Sequence, residues 1–178
     1  MLGGLAAAVG LYLYSRTQSG GDAISGAVGS LVDSVSNLIN GPRGIRNNNP
    51  GNVVRSNIRW QGSLPPDQVP QPPPAGLGIP FDSTFEQMDT PANGVRMIGH
   101  VLVSKAARGL TSVDQIIRDY SLTDQDAYVA HVAAALGVDP SEVIDVQSSL
   151  PTIAAAIIQQ ENGTQPYNPS DIAEWVYS

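Results

Sequence analysis

Apolar and polar residues follow three different patterns along this chain. Residues 2–14 are an uncharged run of Leu, Ala, Val, Gly and Tyr. Residues 23–39 then place Ile24, Val28, Leu31, Val35 and Leu38 at a 4-3-4-3 spacing. That spacing fills the a and d positions of two heptads, with Ser, Gly, Asp and Asn opposite, and predicts an amphipathic helix capped by Asp22. From residue 90 onward the pattern is a series of short helical stripes separated by capping residues. Thr90 as N-cap and Pro91 at the first helical position predict a helix to residue 108, stopped by Gly109, with Val95, Ile98, Val101 and Leu102 buried. Thr111 is expected to cap a short helix that turns Val113, Ile116, Ile117 and Tyr120 inward. Thr123 or Asp124 opens a third, carrying Tyr128, Val129, Val132 and Leu136 as far as Gly137. Asp139-Pro140-Ser141-Glu142 has capping-box spacing. An apolar helix after Pro151 holds Ile153, Ala156, Ile157 and Ile158 and ends at Gln160-Glu161-Asn162-Gly163. Asn168-Pro169 starts a last short helix with Ile172, Trp175 and Val176.

Between the second and third patterns the helical period disappears. Asn40-Gly41-Pro42 ends the amphipathic helix and marks a boundary, which divides the chain into 1–18, 19–42 and 43–178. Gly44-Ile45-Arg46-Asn47-Asn48-Asn49-Pro50-Gly51-Asn52 follows, then Trp60-Gln61-Gly62. Four Asn, two Gly and one Pro in nine residues predict a tight, structured loop, because Asn and Gly tolerate left-handed backbone angles and Pro50 fixes φ. Residues 63–80 hold seven of the fourteen prolines, which predicts an extended surface excursion. Residues 53–58 and 79–88 could pair as a small β-ribbon. Short helices with short capped links give a mostly α fold class, with a small β and loop region beside the helices.

The order of these motifs resembles a family of phage virion proteins regarded as lysozyme-like peptidoglycan hydrolases or lytic transglycosylases. The resemblance starts at Arg43 and runs through the Asn-rich loop and Trp60-Gln61-Gly62. It continues in Phe85, Met88-Asp89, Gly94-Val95-Arg96, Gly109-Leu110-Thr111 and Ile116-Ile117. Tyr128-Val129, Val132-Ala133, Leu136-Gly137-Val138, Ala156-Ile157-Ile158 and Glu161-Asn162-Gly163 complete it. It covers about residues 43–166, and the proline-rich stretch 63–80 departs from it. It implies an α+β lysozyme-like domain that cleaves glycan strands, with peptidoglycan and other virion proteins as partners. The implied location is the virion, associated with a membrane and acting in the host periplasm or cell envelope. A non-catalytic virion protein that keeps the fold for assembly or glycan binding is the alternative.

Charge and composition narrow the choice. The net charge of −7 divides into +3 over residues 1–60 and −10 over the remainder. An acidic body argues against a sequence-specific nucleic-acid binder, whose footprint would be basic. Without cysteine there is no disulfide or thiol chemistry. His100 and His131 stand alone on separate helices, so no zinc site is expected, and no cofactor motif appears. Residues 2–14 are short for a bilayer span. Tyr12, Tyr14 and Arg16 would nevertheless suit a membrane interface, so membrane anchoring, export and packing in an assembly remain open. The heptad face of residues 22–39 would permit a homo-oligomer.

Glycoside cleavage needs a carboxylic acid that protonates the leaving oxygen, kept protonated by apolar surroundings; a lysozyme route adds a second carboxylate. A transglycosylase, as the resemblance implies, manages with one Glu. Glu161, directly after an almost wholly apolar helix, is the first candidate; otherwise it is a helix-end Glu satisfied by Asn162 or an arginine. Asp89 and Glu86 are the second candidates, and Asp89 has a helix-capping alternative beside Thr90. Asn48, Asn49 and Asn52 could bind acetamido or hydroxyl groups, Arg46 an anionic group, and Trp60 a sugar face.

Overall fold

The computed structural model describes residues 41–68 and 81–178. The expectations for residues 2–14 and 22–39, with their membrane and self-association roles, and for most of the proline-rich stretch lie outside the described residues. The residues from Pro42 onward form one compact unit. Its helices are α1 (Arg43–Arg46), α2 (Pro91–Ala107), α3 (Val113–Tyr120), α4 (Gln125–Leu136), α5 (Val146–Asn162) and α6 (Pro169–Trp175). Among the described residues no helix is long and apolar enough to cross a membrane.

Helix α5 is the central element, with α1, α2, α4 and α6 packed on it. Leu150, Ile153, Ile157 and Ile158 give it apolar surface on more than one side, and all four are buried. Val95, Ile98 and Leu102 of α2 meet them, at the i, i+3, i+7 spacing that keeps three residues on one face. Ile116 and Ile117 of α3, Val129 and Val132 of α4 and Ile172 of α6 close the cluster. Each such side chain contributes about 1.5–3 kcal/mol on leaving water, so this core supplies most of the drive to fold.

The helical class stands, and several boundaries shift. Thr90 accepts from the Asn93 N–H with Pro91 behind it, as its residue type predicts. The short third helix is capped by Ser112 rather than Thr111, because Gln115 completes a reciprocal box: its N–H reaches Ser112 Oγ and its side chain accepts from the Ser112 N–H. The box at Asp139-Pro140-Ser141-Glu142 starts no helix. Asp139 Oδ1 accepts from the Ser141 N–H at 2.9 Å and closes a turn, after which Val143 bridges back to Ser112. Helix α5 starts at Val146, five residues before Pro151, capped by Asp145 through the Gln147 and Ser148 N–H groups. Burial of Val146 and Leu150 outweighs the one intrahelical bond that Pro151 cannot make. The expected ribbon is reduced to two isolated antiparallel bridges, Val54 with Phe85 and Ser63 with Met88.

The segment 44–52 is not wholly loop, since its first residues complete α1. Pro42 and Arg43 carbonyls accept from the Arg46 and Asn47 N–H groups at 3.0 Å, and buried Ile45 faces the core. Beyond it Asn48 and Asn52 take left-handed angles, φ 50° and 48°. Three amides of the loop hold residues 82–88, Asn48 Nδ2 by donating to the Met88 carbonyl at 3.0 Å. Asn47 Nδ2 donates to Asp82 Oδ2 at 2.7 Å, and Asn49 Nδ2 donates to the Val53 and Glu86 carbonyls at 2.9 and 3.0 Å. Asp82 also accepts from Arg43 Nε at 2.6 Å and from the Thr84 and Phe85 N–H groups.

Burial alone would raise the Asp82 carboxyl, but the Arg43 guanidinium and the Phe85, Asn47 and Thr84 donors reverse this and hold it well below the usual carboxylate range. A depressed folded pKa stabilises the protein above the unfolded carboxylate value of about 3.9, and that contribution fades as pH falls through the folded value. Asp82→Asn is therefore expected to lower stability at neutral pH by about 1–3 kcal/mol. Thermal melts should show the gap closing progressively below about pH 4. A gap that stayed constant into acid would remove Asp82 as its source.

Candidate functional site

The end of α5 meets the Asn-rich loop. Gly163, with φ 66°, takes the left-handed conformation that ends the helix, and the preceding turn presents Glu161 and Asn162 to residues 50–52. Asn162 is buried, and its Nδ2 donates to the Pro50 carbonyl at 2.7 Å and to the Ile158 carbonyl at 2.9 Å. Glu161 is half-buried. Its Oε2 accepts from Asn52 Nδ2 at 2.9 Å and its Oε1 from the Tyr128 hydroxyl at 3.0 Å. Neither Asn162 nor an arginine satisfies Glu161; among the described residues no cation pairs with it.

A carboxylate in the last turn of a helix faces the negative end of the helix dipole. Two neutral donors offset that field while fixing the carboxyl plane. Tyr128 is 3% exposed, and burial followed by the nearby Tyr120 and Glu161 pushes its hydroxyl far up, so it stays an O–H donor. Tyr120 packs edge-on to Tyr128, with ring centroids 6.5 Å apart, and donates to the Gly51 carbonyl at 2.6 Å. These two hydroxyls were expected only as inward-packing groups. The available signal was tyrosine at stripe positions where a purely apolar core needs no hydroxyl, since a buried phenol requires a polar partner.

The other candidates separate. Glu86 is 1% exposed and turned inward, where its oxygens accept from the Ser56 N–H at 3.2 Å and Ser63 Oγ at 3.0 Å, with Arg55 Nη1 3.5 Å away. Asp89 is exposed at the start of α2, where its Oδ1 accepts from Asn93 Nδ2 at 2.6 Å. Of the loop amides, Asn49 is fully buried and engaged with backbone, and Asn48 Nδ2 donates to the Met88 carbonyl at 3.0 Å. Asn52 reaches Glu161. Arg46 is half-buried, and its Nε lies out of solvent without a partner.

Trp60 stands at a second place. A cavity of about 280 Å³ runs between residues 58–61 and Asn93, Arg96, Met97 and His100 of α2. The Trp60 and His100 rings are tilted by 36° with centroids 6.4 Å apart. Asp89 is bonded to one of the residues lining this cavity, Asn93, whereas Glu161 lies in the loop cluster.

No known protein-family profile matches the chain. The chain is similar to a phage protein, Protein P5 of Pseudoalteromonas phage PM2, at 29% identity over 143 residues that cover 75% of this chain and 81% of that protein.

Proposed function

We propose that this is a phage virion protein whose lysozyme-like domain cleaves peptidoglycan glycan strands by lytic transglycosylation during genome entry. The observation that carries the reading is the Asn52–Glu161 hydrogen bond, which joins two parts of the resemblance motif 109 residues apart. Glu161 is the one candidate carboxylate in that cluster, and a single carboxyl suits a route that needs no second one. Its carboxyl proton passes to the glycosidic oxygen as the C1–O bond breaks. The resulting carboxylate then takes the proton of the C6 hydroxyl as that oxygen closes on C1, leaving a 1,6-anhydro end. Asn52 and Tyr128 keep the carboxyl oriented through both steps. Arg46 and Trp60 are the further glycan-binding candidates, while the Asn48 and Asn49 amides serve backbone carbonyls. Residues 2–14 would hold the protein to a membrane or to other virion proteins.

A non-catalytic reading has one observation in its favour. Both Glu161 oxygens accept bonds from groups that it ties together, so the same carboxylate could serve as a clamp between loop and α4. Digestion of purified sacculi separates the two. Mass spectrometry of released material is expected to show anhydro ends; reducing ends would mean hydrolysis, and no release would leave the structural role.

A further inference from the structure

The peptide unit between Gly51 and Asn52 is held at both ends. Its N–H, that of Asn52, donates to the Asn49 carbonyl at 2.9 Å, and its carbonyl, that of Gly51, accepts from the Tyr120 hydroxyl at 2.6 Å. A plane fixed in this way cannot swing. Asn52 keeps its left-handed φ of 48°, an angle that a non-glycine residue holds only where its surroundings impose it. From there its Nδ2 reaches Glu161 Oε2 at 2.9 Å. Gly51 is buried, and a Cβ on it would press on the Tyr120 hydroxyl and on Ile98, so the hydroxyl sits directly against the loop backbone.

Tyr120 is itself braced from α2. Lys105 is 6% exposed, and its Nζ lies 5.5 Å from the centroid of the Tyr120 ring, within cation–π range. The ammonium donates to Asp119 Oδ2 at 2.6 Å and to the Asp119 carbonyl at 2.8 Å, partners that make burial of a charge tolerable. Burial, followed by the charge of Glu161, pushes the Tyr120 hydroxyl far up, so it stays a donor. A phenylalanine would fill the same space; the hydroxyl serves the loop. We propose that Tyr120 is a positioning residue that holds Asn52 in contact with Glu161 through the Gly51 carbonyl, with Lys105 fixing the ring. This deepens the glycan-cleaving reading, on which its catalytic consequence rests.

Two readouts on the full-length protein provide the test. In NMR of nitrogen-labelled protein, the side-chain amide of Asn52, assigned by its loss in Asn52→Asp, reports the bond to Glu161 and should move in Glu161→Gln. Tyr120→Phe is expected to move it in the same direction. Lys105→Met, which leaves Asp119 paired with Arg108, is expected to move it less. In sacculus digestion Tyr120→Phe is expected to slow release about three- to tenfold, the usual worth of one hydrogen bond. It should cost nothing further in an Asn52→Ala background, because the two residues act through one contact. A merely structural tyrosine would cost the same in both backgrounds. An unmoved Asn52 signal in folded Tyr120→Phe, or an equal loss in both backgrounds, overturns the proposal. If Tyr120→Phe fails to fold in a melting control, Lys105→Met decides, and an unmoved signal there overturns it equally. A moved signal in a protein that releases nothing from sacculi removes only the catalytic reading, whereas release with an unmoved signal removes only the brace.

Discussion

Glu161→Gln is expected to leave the fold intact and to lower glycan release from sacculi by about 10²–10⁴-fold, the usual worth of general acid–base assistance. That loss is roughly 3–5 kcal/mol of barrier. The amide keeps an acceptor oxygen for Asn52 and the Tyr128 hydroxyl can turn to accept, so the cluster survives while the transferable proton does not. Tyr128→Phe removes one neutral donor and is expected to slow release by only about 3–10-fold, corresponding to ~0.5–1.5 kcal/mol. Asp89→Asn discriminates the routes: a small effect fits transglycosylation, and a loss as large as that of Glu161→Gln means a second carboxylate is obligatory. Full activity of Glu161→Gln would move the acid to Asp89, because Glu86 is locked against Ser56 and Ser63.

The second large effect is on stability, at Gly94. Helix propensity alone favours Ala over an interior Gly by about 1 kcal/mol. Gly94, however, lies where the first turns of α2 press on the Asn-rich loop. A Cβ there would run into the Asn48 carbonyl oxygen, with Pro50 Cδ 2.9 Å away. Asn48 has little freedom to move, since its φ of 50° is left-handed and its side chain is bonded to the Met88 carbonyl. Overpacking against backbone costs about 3 kcal/mol, and this outweighs the propensity gain. The net loss of about 2 kcal/mol means that Gly94→Ala should lower the melting temperature by roughly 4–8 °C, at about 2–4 °C per kcal/mol for a chain of this size. Weakened docking of the loop should also reduce catalysis through Asn52. A higher melting temperature would mean that loop and helix are not pressed together.

Much of the architecture was legible in local stereochemistry. Thr90 and Pro91 start α2, Gly137 and Gly163 end α4 and α5 with positive φ, and Asn48 and Asn52 take the left-handed angles their residue types tolerate. These signals work because capping and backbone preference are decided within about four residues. Prediction failed where two local signals competed. Thr111 and Ser112 both suit a cap, and the choice fell to the residue with Gln115 three positions on. The Asp139 box is sound locally, but no buried stripe follows it directly, and it closes a turn instead of starting a helix.

The sequence by itself determined a mostly helical domain, a constrained Asn-rich turn and a carboxylate at the end of an apolar helix, since each depends on neighbours along the chain. Only the tertiary structure decided which side chains meet. It brought Glu161 to Asn52 and Tyr128, turned Glu86 inward, and used Asn47, Asn48 and Asn49 to hold residues 82–88. The four loop asparagines, Asn47, Asn48, Asn49 and Asn52, look alike in one dimension. Their division into buried clips and site-facing groups follows from which amide the packed core shields from water, because a shielded amide must find a protein partner.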